Sequence, residues 1–125
     1  MSLKRQPRVK NVMTTPLETI SRDATISEAA TEMRDSGISA LVVTTSPPSI
    51  VTSTDVLEAV ADGHDTSTTP ISEIMTESVE TVPPNLQTTE VAAMMESLGI
   101  NHLPVKEGSD YVGMVSSTDL AAAMA

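Results

Sequence analysis

The sequence predicts an α/β fold made of two similar β-α-β-β-α halves, and three observations lead there. The chain repeats itself: Val12-Met13-Thr14 returns as Ile74-Met75-Thr76, Glu18-Thr19-Ile20 as Glu80-Thr81-Val82, and Gly37-Ile38 as Gly99-Ile100, each 62 residues on. Apolar residues in each copy fall first at helical spacing and then in short unbroken runs that suit buried strands. Both copies close on a hydroxyl followed three residues later by an aspartate, Thr52 with Asp55 and Ser116 with Asp119. By that point the offset has grown to 64, so the first copy lacks two residues within Thr44–Ser49, where the second has a longer turn around Gly108. An insertion or deletion belongs in such a polar turn.

Each copy opens with a short β segment, Leu17–Ile20 or Val79–Val82, and a turn, Ser21-Arg22-Asp23 or Pro83-Pro84-Asn85. A helix follows. In the first copy Ile26, Ala29, Ala30 and Met33 form one apolar stripe. Thr25 and Glu28 make a capping box at its start, and Gly37 provides the left-handed stop. Val91, Ala92, Met95, Leu98 and Gly99 do the same in the second copy. Two strands come next, Ala40–Thr44 with Ser49–Thr52 and His102–Val105 with Tyr111–Val115, and then a second helix, Val56–Ala61 or Leu120–Met124. A unit of roughly fifty residues buries a core poorly by itself, so the two are expected to pack sheet to sheet. The predicted organisation is a basic tail over 1–8, a repeat over 9–62, a turn-rich linker over 63–70 and a second repeat over 71–125.

Composition excludes several function classes. The chain has no cysteine, hence no disulfide, thiolate metal site or cysteine nucleophile. No apolar run approaches the roughly 20 residues needed to cross a bilayer, and the start, MSLKRQPR, lacks the apolar stretch of a signal peptide. A cytoplasmic location is expected. Four of the seven basic residues lie in the first ten positions, and all seventeen acids lie at Glu18 or later. Residues 11–125 therefore carry three basic side chains against seventeen acidic ones, a net charge of −14. Such a body repels nucleic acid, and with Tyr111 as its one aromatic residue it offers bases no stacking platform. The acidity suggests a salt-rich, halophilic setting in which self-repulsion is screened. The eight methionines read as gap-filling core residues.

The Ser/Thr-x-x-Asp clusters carry two readings. The hydroxyl caps a free backbone N–H and the carboxylate complements the helix dipole, a purely structural role worth on the order of 1 kcal/mol. A helix start directly after a buried strand is also an anion site, and a carboxylate there suits the vicinal hydroxyls of a ribose. His102 reads equally as a ligand-facing residue or as a satisfied core histidine. With His64 in the linker it forms no metal cluster. A Ser116–His102–Asp119 triad has no G-x-S-x-G elbow, so catalysis is not expected.

Gly99-Ile100-Asn101-His102-Leu103-Pro104-Val105 followed by GMVSSTD resembles a cystathionine-β-synthase (CBS) domain, as do the leading VMT, the ETV segment and the capped helix. The resemblance covers residues 9–125 in two copies, the arrangement called a Bateman module. It implies two CBS repeats packed sheet to sheet with pseudo-two-fold symmetry, and a regulatory module that is not an enzyme. It also implies an adenosine-containing ligand (AMP, ADP, ATP or S-adenosylmethionine) in the cleft between the repeats, with Mg²⁺ needed only by a triphosphate and no other cofactor. By motif position, Asp119 and Asp55 would hold ribose hydroxyls, with Ser116 and Thr52 near the phosphate. Main-chain groups of Thr81, Val82 and Asn101–Pro104, or of Thr19, Ile20, Ser39, Ala40 and Leu41, would read the adenine edge, His102, Leu103 and Pro104 falling in the first set. The second copy fits the pattern better, because the first has Val42 in place of Pro104 and Ser49 in place of Gly113. Scarce basic residues favour a monophosphate or a ligand carrying positive charge. The resemblance further implies a homodimer through helical faces and a separate protein target. The competing expectation is a constitutive dimerisation or scaffolding module without ligand affinity.

Overall fold

The computed structural model describes residues 7–124, with the side chain of Met124 outside that description, as are residues 1–6 of the expected basic arm and Ala125. The elements in order are α1 (Val9–Val12), β1 (Thr19–Ile20), α2 (Ile26–Ser36), β2 (Ala40–Val43), β3 (Ser49–Thr52) and α3 (Ser53–Ala61). A 3-10 turn (Ile71–Glu73) then precedes α4 (Thr88–Leu98), β4 (His102–Glu107), β5 (Asp110–Ser116) and α5 (Ser117–Met124). The α/β fold of two similar repeats is thus the one expected, the second lacking its leading strand.

The chain divides into two compact units, and they do not follow the repeats. One is Glu18–Val79; the other joins the residues up to Leu17 to those from Glu80 onward. Each repeat's sheet and helices are therefore completed by the leading segment of the other repeat.

In the Glu18–Val79 unit, β1 runs parallel to β2 and β2 antiparallel to β3, with Leu41 opposite Val51. Thr76 extends the sheet beyond β3: its N–H donates to the Ile50 carbonyl at 2.8 Å and its carbonyl accepts from the Ile50 N–H at 2.9 Å. Ahead of it, the Ile71 N–H donates to Ala24 (2.8 Å), and the Thr69 carbonyl accepts from Ile26 at the start of α2 (3.0 Å). The segment expected as a linker is thereby bonded to the first helix. Ile71 is fully buried among Ile26, Ala29, Met33, Leu41, Val43, Val51 and Ala59.

The second unit repeats this plan. β4 pairs antiparallel with β5, and Thr14 bonds Met114 reciprocally at 2.8 and 3.0 Å. Val9 donates to the Leu86 carbonyl (2.9 Å), and the Pro7 carbonyl accepts the Thr88 N–H that opens α4 (3.0 Å). That backbone acceptor stands where no side chain caps α4, whereas Thr25 and Glu28 cap α2 as expected. Val9 is fully buried with Val82, Val91, Met95, Leu103, Val105, Val115 and Leu120.

Three sequence expectations are corrected. The second copy has no strand over Val79–Val82, only a parallel bridge from Val82 to Val105. In the first copy the Val42 N–H donates to the Glu18 carbonyl (3.1 Å). Pro104 occupies the matching place and has no N–H to give, so the ladder shortens to one residue. Next, both second helices start earlier than expected, at Ser53 and Ser117, directly after their capping residues. Finally, Leu98 does not join the buried stripe of α4: it is 48% exposed.

Both faces of each sheet are buried. Leu41, Val43 and Val51 face the helices, while Ala40, Val42 and Ile50 alternate with them on the opposite face and are also buried.

Candidate functional site

The tip of α5 follows β5 without a loop. Asp119 Oδ2 accepts the Ser116 N–H at 2.9 Å, while the Asp119 N–H donates to Ser116 Oγ at 3.0 Å. This is a complete reciprocal cap, so the structural reading of the cluster is realised. The cap employs only one of the two carboxylate oxygens. Oδ1 has a single further contact among those resolved, the Thr14 hydroxyl at 3.5 Å, which stands at the same distance from Oδ2. At that length the contact is weak. Asp119 and Ser116 are half-buried and Thr14 is exposed.

Thr14 is a member of this candidate site that sequence reasoning missed. Its backbone is pinned to Met114 on the edge of β5, which holds its hydroxyl beside Asp119 across 105 positions of sequence. Gly113 permits this approach. A Cβ there would sit 2.8 Å from Met13 Sδ and 2.9 Å from the Thr14 carbonyl oxygen. The backbone contact cannot yield without displacing the Thr14 bridge. Gly113→Ala is therefore expected to cost about 1–3 kcal/mol in urea unfolding, and an unchanged midpoint would refute the close packing. The first copy carries Ser49 at this place, 1% exposed, its hydroxyl 2.7 Å from that of Thr45. The serine is thus accommodated within the first copy's sheet.

The remaining expected residues of this unit fall into two groups. Leu103 and Val82 point their side chains into the helix-side core. The Val82 N–H donates to Pro104 (3.0 Å) and its carbonyl accepts from Lys106 (2.9 Å), so both its main-chain groups hold the sheet. Pro104 is buried, Thr81 and His102 are half-buried, and Asn101 is exposed. His102 lies opposite Ser116 in the ladder, and the Asn101 carbonyl accepts the Ser117 N–H (2.9 Å). Asn101, His102, Ser116, Asp119 and Thr14 are thus gathered around one helix tip.

The other unit has the same construction. Asp55 Oδ2 accepts the Thr52 N–H at 2.9 Å, the Asp55 N–H donates to Thr52 Oγ1 at 3.2 Å, and the Ser39 carbonyl accepts the Ser53 N–H at 2.9 Å. Thr19 and Ser39 are exposed, Ile20 is half-buried, and Ala40 and Leu41 are buried. The Ile20 carbonyl is held by the Thr44 N–H at 3.1 Å.

Electrostatically the Asp119 site is short of cations. The described basic residues of its unit are Arg8, Lys10 and Lys106. Arg8 donates to the Asn85 carbonyl at 2.8 Å. Lys106 lies over the Tyr111 ring, 5.4 Å from its centroid, four positions along β4 from His102, or about 13 Å. Among the described residues no group of acids and histidines is placed to hold a metal ion, and no helix is long and apolar enough to cross a membrane.

Comparison with known proteins bears on this arrangement. The CBS domain family model matches residues 9–62 and again 71–125. The CBS domain-containing protein YhcV of Bacillus subtilis is 33% identical over 116 residues, covering 90% of this chain and 82% of that protein. A hexameric CBS-CP12 protein from bloom-forming cyanobacteria superposes with a TM-score of 0.87 at 31% identity, over 92% of this chain and 69% of that one. A CBS domain pair solved in complex with 5′-methylthioadenosine and S-adenosyl-L-methionine superposes with a TM-score of 0.85 at 27% identity, over 96% of this chain and 97% of that one.

Proposed function

The chain belongs to the CBS domain family as a tandem pair, and on that premise we propose that it is a regulatory module binding an adenosine-containing ligand at the Asp119 site. The observation that carries the proposal is the spare acceptor: a half-buried carboxylate fixed by its cap through Oδ2, with Oδ1 left to a 3.5 Å contact. A ribose diol is a donor pair of the right kind for it. Thr14 and the exposed Asn101 supply the surrounding polar contacts. The similar pair solved with two adenosine derivatives supports the same class of ligand.

Charge narrows the class. Of the three described basic residues of this unit, Lys106 is engaged at the far end of β4 and Arg8 on Asn85, which leaves Lys10 to meet the charge of a triphosphate. Adenosine ligands with little negative charge, such as 5′-methylthioadenosine, S-adenosylmethionine and AMP, fit best, ahead of ADP and ATP. Binding would shift the module's conformation or its affinity for a separate protein target, with no catalytic step, and the module would work as an assembly of two or more copies. The hexameric relative supports the last point.

Thermal unfolding with each of these ligands and NAD, in concentrated salt to screen a net charge of −10, tests the reading. At a hundred times its dissociation constant a true ligand adds about 2.7 kcal/mol. A flat response across the panel would leave a constitutive assembly module instead.

A further inference from the structure

The charge of the chain is divided unevenly, and the exchange of leading segments divides it. The Glu18–Val79 unit carries two basic side chains against eleven acidic ones, the other unit five against six. Four of those five, Lys4, Arg5, Arg8 and Lys10, come from the leading segment. From Pro7 onward that segment is no loose tail. Backbone bonds hold it, from Val9 to Leu86 (2.9 Å), from Lys10 to Pro84 (2.9 Å) and from Thr88 to Pro7 (3.0 Å), and Val9 is fully buried. Arg8 and Lys10 stand exposed on this fixed backbone. Neither forms an ion pair among the described residues, and Arg8 uses only Nη1, on the Asn85 carbonyl (2.8 Å).

The surroundings leave these charges uncompensated. Residues 81–89, against which the segment lies, have no charged side chain, and α5, which packs on α1, has Asp119 alone. The result is a local cationic surface on a chain of net charge −10. We propose that Arg8 and Lys10, with the charges of Lys4 and Arg5 preceding them in sequence, dock an acidic segment, rich in Asp and Glu, of the separate target protein. Cations spread along the backbone suit carboxylates spread along a chain better than one small anion. A nucleic acid would meet the acidic remainder as well and finds no aromatic platform. A membrane needs an apolar anchor, and the exposed large hydrophobics, Leu57, Val60 and Leu98, belong to other elements. The segment continues through Met13 to Thr14, so its occupant bears on the Met114 bridge that holds the Thr14 hydroxyl beside Asp119. The inference rests on the regulatory reading's separate target and not on its ligand: a flat adenosine response leaves it standing.

Fluorescence anisotropy tests it, with a labelled peptide of about twelve alternating Asp and Glu residues titrated with the full chain at about 150 mM salt. The peptide is expected to bind, and more weakly as salt is added. Arg8→Glu and Lys10→Glu should each raise its dissociation constant about tenfold, while Lys10→Arg keeps the charge and binds like the wild type. Arg22→Glu changes the net charge equally from an exposed turn of the other unit, and should leave the constant within about threefold. No binding of the acidic peptide overturns the proposal. An equal loss in Arg22→Glu does so too, because overall charge alone is then at work. Tighter binding of a single-stranded oligonucleotide of equal charge, or of phosphatidylserine vesicles, gives the surface to another class of partner and also overturns it. So does dissociation of the protein's own assembly by Lys10→Glu in sedimentation equilibrium, which would seat a second copy there.

Discussion

Replacing Ile71 with alanine is expected to remove about 2–5 kcal/mol of stability, because a fully buried isoleucine would leave a cavity that its neighbours fill only in part. For a chain of this size that lowers the unfolding midpoint by on the order of 10 °C. The magnitude matters because of where Ile71 comes from. Sequence order assigns it to the start of the second repeat, beside a polar, turn-rich stretch. In the structure it closes the core of the Glu18–Val79 unit, against Leu41 and Val51 of the first repeat's sheet. Leu41→Ala serves as the reference, since Leu41 is equally buried in the same cluster and lies within the first repeat. Comparable losses in urea or thermal unfolding are expected from the two variants. A loss below about 0.5 kcal/mol for Ile71→Ala, the size of an ordinary surface substitution, would mean that the segment is a dispensable linker and that the exchange of leading segments is wrong.

That exchange marks the boundary of what the sequence makes legible. Periodicity, capping residues and the 62-residue offset identify the helices, the strand pairs and their order, since each depends on residues close together in the chain. They cannot say which sheet a leading segment joins. Val9 and Ile71 occupy the same place in the repeat, each is followed by a Met-Thr pair, and each fits either core by size and polarity. Only the three-dimensional path decides. The Asp119 site was missed in part for the same reason: the Ser116–Asp119 spacing is visible, but Thr14 is far removed in sequence and belongs by order to the other copy. By contrast, the loss of the strand before Pro83 was readable in principle. A proline at 104, facing a carbonyl that Val42 serves in the first copy, removes the donor the strand would need. Gly113 was read as a signature residue; its physical reason, the approach of Met13 and Thr14, needed the fold.

The cap and the proposed ribose grip at Asp119 are compatible, since they would employ different carboxylate oxygens, and this makes their separation an experiment with an internal control. Asp119→Ala removes the acceptor of the Ser116 N–H and is expected to cost about 1 kcal/mol in the free protein. Asp55→Ala removes an equivalent acceptor, that of the Thr52 N–H at 2.9 Å, and should cost about the same. The two variants therefore match in structural damage and differ in the site they alter. With the best ligand of the panel at a hundredfold excess over its dissociation constant, the stabilisation of about 2.7 kcal/mol should persist in Asp55→Ala and vanish in Asp119→Ala. Thr14→Val should weaken the response while leaving the Ser116 cap, and the free protein's midpoint, nearly unchanged. Thr14→Ser keeps the hydroxyl and should restore the response. Loss of the response in both aspartate variants would mean that the caps matter only through general stability. Retention in Asp119→Ala would place the ligand elsewhere, whatever the family resemblance suggests.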